Sequence, residues 1–314
     1  MNNGALKVSA SPLPKIDPTS AFQSFEAWKQ DVQQRTQQML ERTLPASDAL
    51  PVRLHEAMRY AVLGPGKRMR PLLCQAAGEA AAAECETLDR VGAALEMMHV
   101  YSLVHDDLPA MDDDVLRRGR ATVHVQYDEA TAILVGDALQ AQAYITLSQT
   151  SLPAAGQTLL IKELAIATSS MGMVGGQMID LSSIDTALSH LELEQMHRMK
   201  TGALIRASVR MGALCAANSR LNLDSLDRYS TAIGLAFQVV DDILDDTMNT
   251  ATLGKTAGKD ARGHKPTYVS MLGLKQSRNL AQQLVDQAHE ALKTLAGRPD
   301  RLHGLADLVI NRLC

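Results

Sequence analysis

One tryptophan, three phenylalanines and six tyrosines are spread over 314 residues, and runs alternating β-branched or aromatic residues with polar ones are nearly absent. Without that alternation no segment reads as a β-strand. Cysteine is also sparse: Cys74, Cys85, Cys215 and Cys314 lie far apart and make no C-x-x-C pair, and no cationic start precedes an apolar leader core. These absences point to free thiols and the reducing cytoplasm. No apolar run approaches the ~20 residues of a membrane span, because charge or Gln/Ser interrupts every helical stretch. Thirty-one Lys and Arg stand against 35 Asp and Glu, a formal net charge of −4. Nowhere are the basic residues concentrated into the footprint that nucleic acid requires.

What fills the chain from Ser20 onward is Ala, Leu, Met, Gln and Glu, the strong helix formers, so the expected fold class is all-α. The length exceeds the usual ~100–200 residues per domain, which a single large helical domain accommodates. Residues 1–19 hold Asn2-Asn3-Gly4, Pro12, Pro14 and Pro18 without a helical period and are expected to form a flexible arm, leaving 20–314 as one domain. Asp17-Pro18-Thr19-Ser20 offers caps ahead of an apolar stripe of Phe22, Phe25, Trp28, Val32 and Met39. Further helices are expected over 52–63, 70–84, 87–108, 128–147, 154–171, 191–217, 223–245 and 275–296, with a short one ending the chain. The pattern predicts a helical bundle with its site at the mouth of a central apolar cavity.

Two acid-rich segments, His105-Asp106-Asp107-Leu108-Pro109-Ala110-Met111-Asp112-Asp113-Asp114 and Gln238-Val239-Val240-Asp241-Asp242-Ile243-Leu244-Asp245, stand about 130 residues apart. Carboxylates repel one another and are costly to bury unpaired, so the pair calls for hard cations. An all-oxygen ligand set suits Mg²⁺, which keeps several waters and is completed by substrate phosphates. Asp241 and Asp245, four apart, share one face of a helix one turn apart. Asp106 and Asp112, six apart, are about 120° off on an ideal helix, and Pro109 distorts the turn between them. Either motif alone also fits an acidic, solvated helix end; together they fit that poorly.

Basic residues appear where an anion needs them. Gly64-Pro65-Gly66-Lys67-Arg68-Met69-Arg70-Pro71 is a Gly-rich turn into a helix, a natural phosphate cradle. Arg117-Arg118-Gly119 follows the first acid motif, a mixed-sign arrangement that suits either a metal-bound phosphate or a surface ion-pair network.

The ordered set G-K-R-M-R-P, H-D-D-L-P-A-M-D-D-D-V-L-R-R-G, G-D-A-L, G-G-Q, K-T-G, F-Q-V-V-D-D-I-L-D and L-G-K resembles the trans-isoprenyl diphosphate synthases, in particular their bacterial short-chain members. The resemblance runs from about Val52 to the C-terminus. It implies the helical isoprenoid-synthase fold, a homodimer, and Mg²⁺-dependent condensation of isopentenyl diphosphate with dimethylallyl or geranyl diphosphate. The implied product is farnesyl diphosphate, with geranyl or geranylgeranyl diphosphate as alternatives. Asp106 and Asp112, supported by Asp107, resemble ligands of two Mg²⁺ ions, and Asp241 with Asp245 the holders of a third. Arg117, Lys200 and Lys255, helped by Thr201 and Gln238, are similar to side chains contacting the allylic diphosphate, with Lys259 a rival to Lys255. Lys67, Arg70, His99 and Arg118 resemble the separate pocket for isopentenyl diphosphate. One departure is Val115, where bacterial relatives often carry a fourth aspartate. Tyr101 and Ser102, five and four residues before Asp106, fall about 6–7.5 Å back along the helix axis and resemble the stop that limits chain length.

His105 is expected to pack or hydrogen-bond, since an oxygen-rich Mg²⁺ site has little use for imidazole. His99, two turns before Asp106, faces the same way. Met97, Met98 and Met111 are expected as adaptable packing. A terpene cyclase also ionises a prenyl diphosphate between acidic motifs, but Lys67, Arg70, Arg118 and the fully acidic second motif argue against it. A non-catalytic subunit would be expected to lack ligands in one motif, and both are complete.

Overall fold

Ser24 opens the chain's first described helix, its hydroxyl accepting from the Ala27 N–H at 3.2 Å, a conventional N-cap. The computed structural model describes residues 24–184, 188–216, 222–247, 266–295 and 297–313. The expected arm over 1–19 and the caps at 17–20 lie outside them. The helices in order are α1 (Phe25–Thr43), α2 (Val52–Val62), α3 (Met69–Ala80), α4 (Cys85–Asp106), α5 (Val123–Gln126), α6 (Glu129–Ser148), α7 (Ala154–Thr168), α8 (Met173–Ser182) and α9 (His190–His197). A π-helical turn (Arg198–Gly202) runs into α10 (Ala203–Leu214), followed by α11 (Leu223–Thr247), α12 (Tyr268–Leu272), α13 (Leu274–Leu292) and α14 (Asp300–Ile310). The strand content among the described residues is one antiparallel pair, β1 (Leu116–Arg117) against β2 (Arg120–Ala121), with Arg117 opposite Arg120. The all-α expectation holds.

Helix α3 against α10 forms the centre of the bundle, and their two sides feed two cores. Leu72, Leu73, Ile205 and Val209 pack with α1, α11, α13 and α14, while Cys74, Leu204, Ala207 and Met211 pack with α2, α4, α6 and α7. Met97 and Met98 are completely buried in the second core, as packing. Among the described residues no helix is long and apolar enough to cross a membrane, and Cys74, Cys85 and Cys215 are free thiols.

Several boundaries differ from the expected ones for local reasons. Helix α3 stops at Ala80 because Ala82 turns left-handed at φ 60°. Helix α4 ends at Asp106, since Leu108 precedes Pro109 and is pushed out of helical geometry. Helix α8 is not among the expected helices: Gly175 and Gly176 lower its helix propensity, and tertiary contacts override that. The single helix expected over 191–217 is broken into α9 and α10 by the π turn, an insertion that frequently marks a functional site.

The turn before α3 is locked by a buried ion pair. Arg68, left-handed at φ 51° and 4% exposed, donates to Glu96 of α4 at 2.7 Å and to the carbonyls of Val62 and Gly64 at 3.0 and 2.9 Å. Glu96 is 1% exposed, so removing its partner leaves a buried, uncompensated charge. Arg68→Met is therefore expected to cost about 3–5 kcal/mol in urea unfolding at neutral pH, and adding Glu96→Leu to recover most of that loss.

Candidate active site

The first acid motif is the end of α4 folded back on itself. Beyond Asp106 the chain reverses, with the Asp112 N–H donating to the Asp106 carbonyl at 2.8 Å and the Asp114 N–H to the Asp107 carbonyl at 3.2 Å. Asp112 therefore reaches Asp106 through a loop rather than through a distorted helix turn. Asp107 is 3% exposed and accepts from Arg117 Nε at 2.6 Å, and Asp114 accepts from Arg117 Nη2 at 3.3 Å. Asp107 is thus engaged in holding Arg117, a supporting position. Asp106, in contrast, lines a cavity of about 400 Å³ together with Ser102, Met111, Met173, Lys200 and Thr201.

The two arginines of R-R-G part company at the β1–β2 turn. Arg118 and Gly119 both take positive φ, 53° and 76°, the mirror-image turn that matches strand twist and favours glycine. Arg117 stays on the acid motif, while Arg118 donates to the Pro65 carbonyl at 2.9 Å. There it borders a second cavity, of about 410 Å³, with Lys67, Arg70, His99, Phe237 and Arg312. Among the described residues its one carboxylate, Glu96, is taken by Arg68, and Arg312 on its wall pairs with Asp241 at 2.5 Å. Burial, opposed by Glu96 and reinforced by Arg118, pulls the Arg70 guanidinium down to about 10. Lys67 is lowered by desolvation and then by Arg312. His99 is held well below its usual range by burial and then by Arg70 and Arg118. Cations crowded together in this way are an arrangement suited to an anion. Arg70 and His99 border both cavities, which therefore lie side by side.

The second acid motif lies on α11 with Asp241 and Asp245 one helical turn apart, as expected. Asp242 has a different task. It is 4% exposed, accepts from Gln238 Nε2 at 2.9 Å and from the Tyr268 N–H at 2.9 Å, and so ties α11 to α12. Thr201, on the π turn, donates to Gln238 Oε1 at 3.2 Å. Lys200 precedes it and donates to Asp180 of α8 at 2.7 Å. Helix α8 can approach because Gly176 has no Cβ; one built there would meet the Lys200 backbone N at 2.2 Å.

Burial raises the Asp106 carboxyl to about 6, with Lys200 opposing and Asp112 adding to the rise. Asp107 also rises to about 6 through burial, against the pull of Arg117. Burial alone would lower Lys200, but Asp180, Asp106 and Asp112 raise it instead. Tyr101 is 5% exposed, lines the first cavity and meets the His105 ring edge-on at 5.8 Å. His105 places Nε2 at 3.0 Å from the Ile133 carbonyl, a hydrogen-bonding role as expected. Ser102, also on the cavity wall, donates to the His99 carbonyl at 2.8 Å.

Lys255 and Lys259 lie outside the described residues. Sequence reasoning passed over Arg312 and Asp180. Nothing in the short terminal helix signals Arg312, whereas Asp180 falls four residues after the second glycine of the quoted G-G-Q. Among the described residues no three His, Cys, Asp or Glu side chains converge as a closed cage. All-oxygen groups of this kind fit Mg²⁺ that retains waters and is completed by phosphate oxygens.

Residues 51–297 match the polyprenyl synthetase family, and the chain belongs to that family. It is 54% identical over 285 residues to the probable farnesyl diphosphate synthase of Bradyrhizobium diazoefficiens, covering 88% of this chain and 85% of that protein. It is 49% identical over 264 residues to the farnesyl diphosphate synthase of Escherichia coli, covering 82% and 88%. Among solved structures, the geranyltransferase of Helicobacter pylori complexed with magnesium and isoprenyl diphosphate superposes with a TM-score of 0.82 at 31% identity, covering 93% of this chain and 99% of that one.

The raised carboxyls have a consequence for stability. Between the ordinary carboxyl value of 3.8 and about 6, the folded chain keeps protons on Asp106 and Asp107 that the unfolded chain has released. Their contribution therefore turns unfavourable as pH rises through that window. Metal-free Asp106→Asn is expected to melt above the parent at about pH 7.5, the gain shrinking toward about pH 4, as read by circular dichroism melts in chelator.

Proposed function

We propose that the chain joins isopentenyl diphosphate head-to-tail to dimethylallyl and then geranyl diphosphate, releasing farnesyl diphosphate. The observation that carries this reading is the cation-lined pocket of Lys67, Arg70, Arg118 and Arg312 beside a cavity lined by Asp106 and Lys200, with Arg70 and His99 bordering both. A second diphosphate pocket is what a condensing enzyme needs and a cyclase does not. The names of the similar proteins agree with it.

Asp106 and Asp112, with Asp107 behind them, and Asp241 with Asp245 are assigned to three Mg²⁺ ions. Bound Mg²⁺ supplies charge neutralisation at the diphosphate oxygens. Lys200, Thr201 and Gln238, with Arg117 and Lys255, are assigned to the allylic diphosphate and offset the charge developing on the leaving oxygen. Lys67, Arg70, His99 and Arg118 hold the isopentenyl diphosphate, which stays attached to its carbon skeleton. The allylic C–O bond breaks, the alkene of the donor attacks the cation to form the new C–C bond, and a proton leaves to the released diphosphate. Met111, Met173 and Tyr101 keep water from the cation. The free thiols support a cytoplasmic setting.

The test is incubation of purified protein with labelled isopentenyl diphosphate, geranyl diphosphate and Mg²⁺, followed by sizing of the products. Fifteen-carbon product is expected, and its absence would sink the assignment. Tyr101→Ala is expected to deepen the cavity and shift products to twenty carbons or more; an unchanged distribution would move the stop elsewhere.

A homodimer belongs to the same proposal. Ile133, Leu134 and Ile145 of α6 and Met171, Val174 and Met178 at α8 are exposed, Leu134 by 55% and Met178 by 63%. Covering such residues is what a two-fold interface does. Light scattering at micromolar concentration is expected to give twice the chain mass, and the chain mass alone would refute it.

A further inference from the structure

Lys200, half-buried with its side chain 24% exposed, shares a cavity wall with Asp106 and feels the charge of three carboxylates, Asp180, Asp106 and Asp112. Two of the three are the proposed Mg²⁺ ligands. An ammonium left to itself among them would settle where the negative charge is densest, on Asp106 and Asp112, and would compete there with a divalent cation. Instead its hydrogen bond goes to Asp180, at 2.7 Å, from the opposite wall.

That wall is built for the contact. Asp180 is 6% exposed on α8, and Gly176, four residues earlier and so on the same face, lies flat against the Lys200 backbone. On the other side, the π turn carries Thr201 onto Gln238 of α11. Neighbouring residues of one turn are thus fastened in two directions, Lys200 to α8 and Thr201 to α11. A largely desolvated charge pair of this kind adds little net stability over an apolar pair. What it does supply is direction.

We propose that Asp180 is a positioning residue that holds Lys200 off Asp106 and Asp112, leaving those carboxylates to cations while the ammonium still faces the cavity. This rests on the assignment of Lys200 and of the acid motif made above. Removing the charge of Asp180 frees Lys200 to pair with Asp106 and Asp112, so that Mg²⁺ must displace it.

The test compares Asp180→Asn, close to isosteric, with the parent, using calorimetric titration of Mg²⁺ in the presence of inorganic diphosphate and the Mg²⁺ dependence of turnover. The expected result is an affinity for Mg²⁺ weakened about tenfold, in the range for a lost outer-sphere partner. At saturating Mg²⁺ most of kcat returns, and the melting temperature stays near that of the parent. In a Lys200→Met background the Asp180→Asn change is expected to leave Mg²⁺ affinity unaltered, because the competitor is gone. An affinity within twofold of the parent in Asp180→Asn, or an equal loss in both backgrounds, overturns the proposal. So does a turnover loss that saturating Mg²⁺ leaves in place. Should the parent bind Mg²⁺ with diphosphate but fail to condense prenyl substrates, the assigned reaction falls and the positioning role is still read from the calorimetry.

Discussion

Like charge is the constraint around which this molecule is arranged. Seven aspartates, Asp106, Asp107, Asp112, Asp114, Asp241, Asp242 and Asp245, stand in two motifs of an otherwise apolar helical bundle, where each unbalanced carboxylate is expensive. The structure divides them by task. Asp107 and Asp114 hold Arg117, and Asp242 holds Gln238 and the start of α12. These build the walls. Asp106 and Asp112 face Lys200, and Asp241 pairs with Arg312. In each motif, adjacent aspartates in sequence thus do different work, because successive helical residues point about 100° apart.

Helix α4 turns this division into a machine of fixed dimensions. Its 22 residues carry Glu96 at the Arg68 anchor, His99 between the two cavities, Tyr101 and Ser102 on the cavity wall, and Asp106 at the mouth. One rigid rod therefore sets the separation of the cation-lined cavity, the Tyr101 cavity and the acid motif together. Met97 and Met98, completely buried, keep that rod in place from behind.

Much of this was legible from residue types and spacing. Leu, Ala, Met and Glu at helical intervals predicted the bundle, and the spacing of Asp241 and Asp245 placed them on one helical face. The basic turn at 64–71 does bring Lys67 and Arg70 to a cavity wall, while Arg68 proved to be a structural peg rather than a free cation. What could not be read was the long-range part. Arg312 meets Asp241 across 71 residues of chain, and nothing local announces it. Asp180 looks like any acidic residue of a surface helix until α8 is seen against the π turn. Helix α8 itself was hidden by its glycines, which cost helix propensity but permit the close approach that the site uses.

The two anion sites differ in construction, and on the proposed reaction they must. At one, charge grows on an oxygen as a bond breaks; at the other, the diphosphate remains esterified and its charge stays constant. Only interactions that strengthen toward the transition state accelerate the chemical step. Carboxylates suited to metal ions, with Lys200 held beside them by Asp180, belong where charge changes. Fixed guanidinium and ammonium groups suffice where it does not, because they bind ground and transition states alike. A pocket made of Lys67, Arg70 and Arg118 therefore acts mainly on substrate affinity, while the carboxylate mouth acts on rate. Exchanging the two would waste the metals on a group that never leaves.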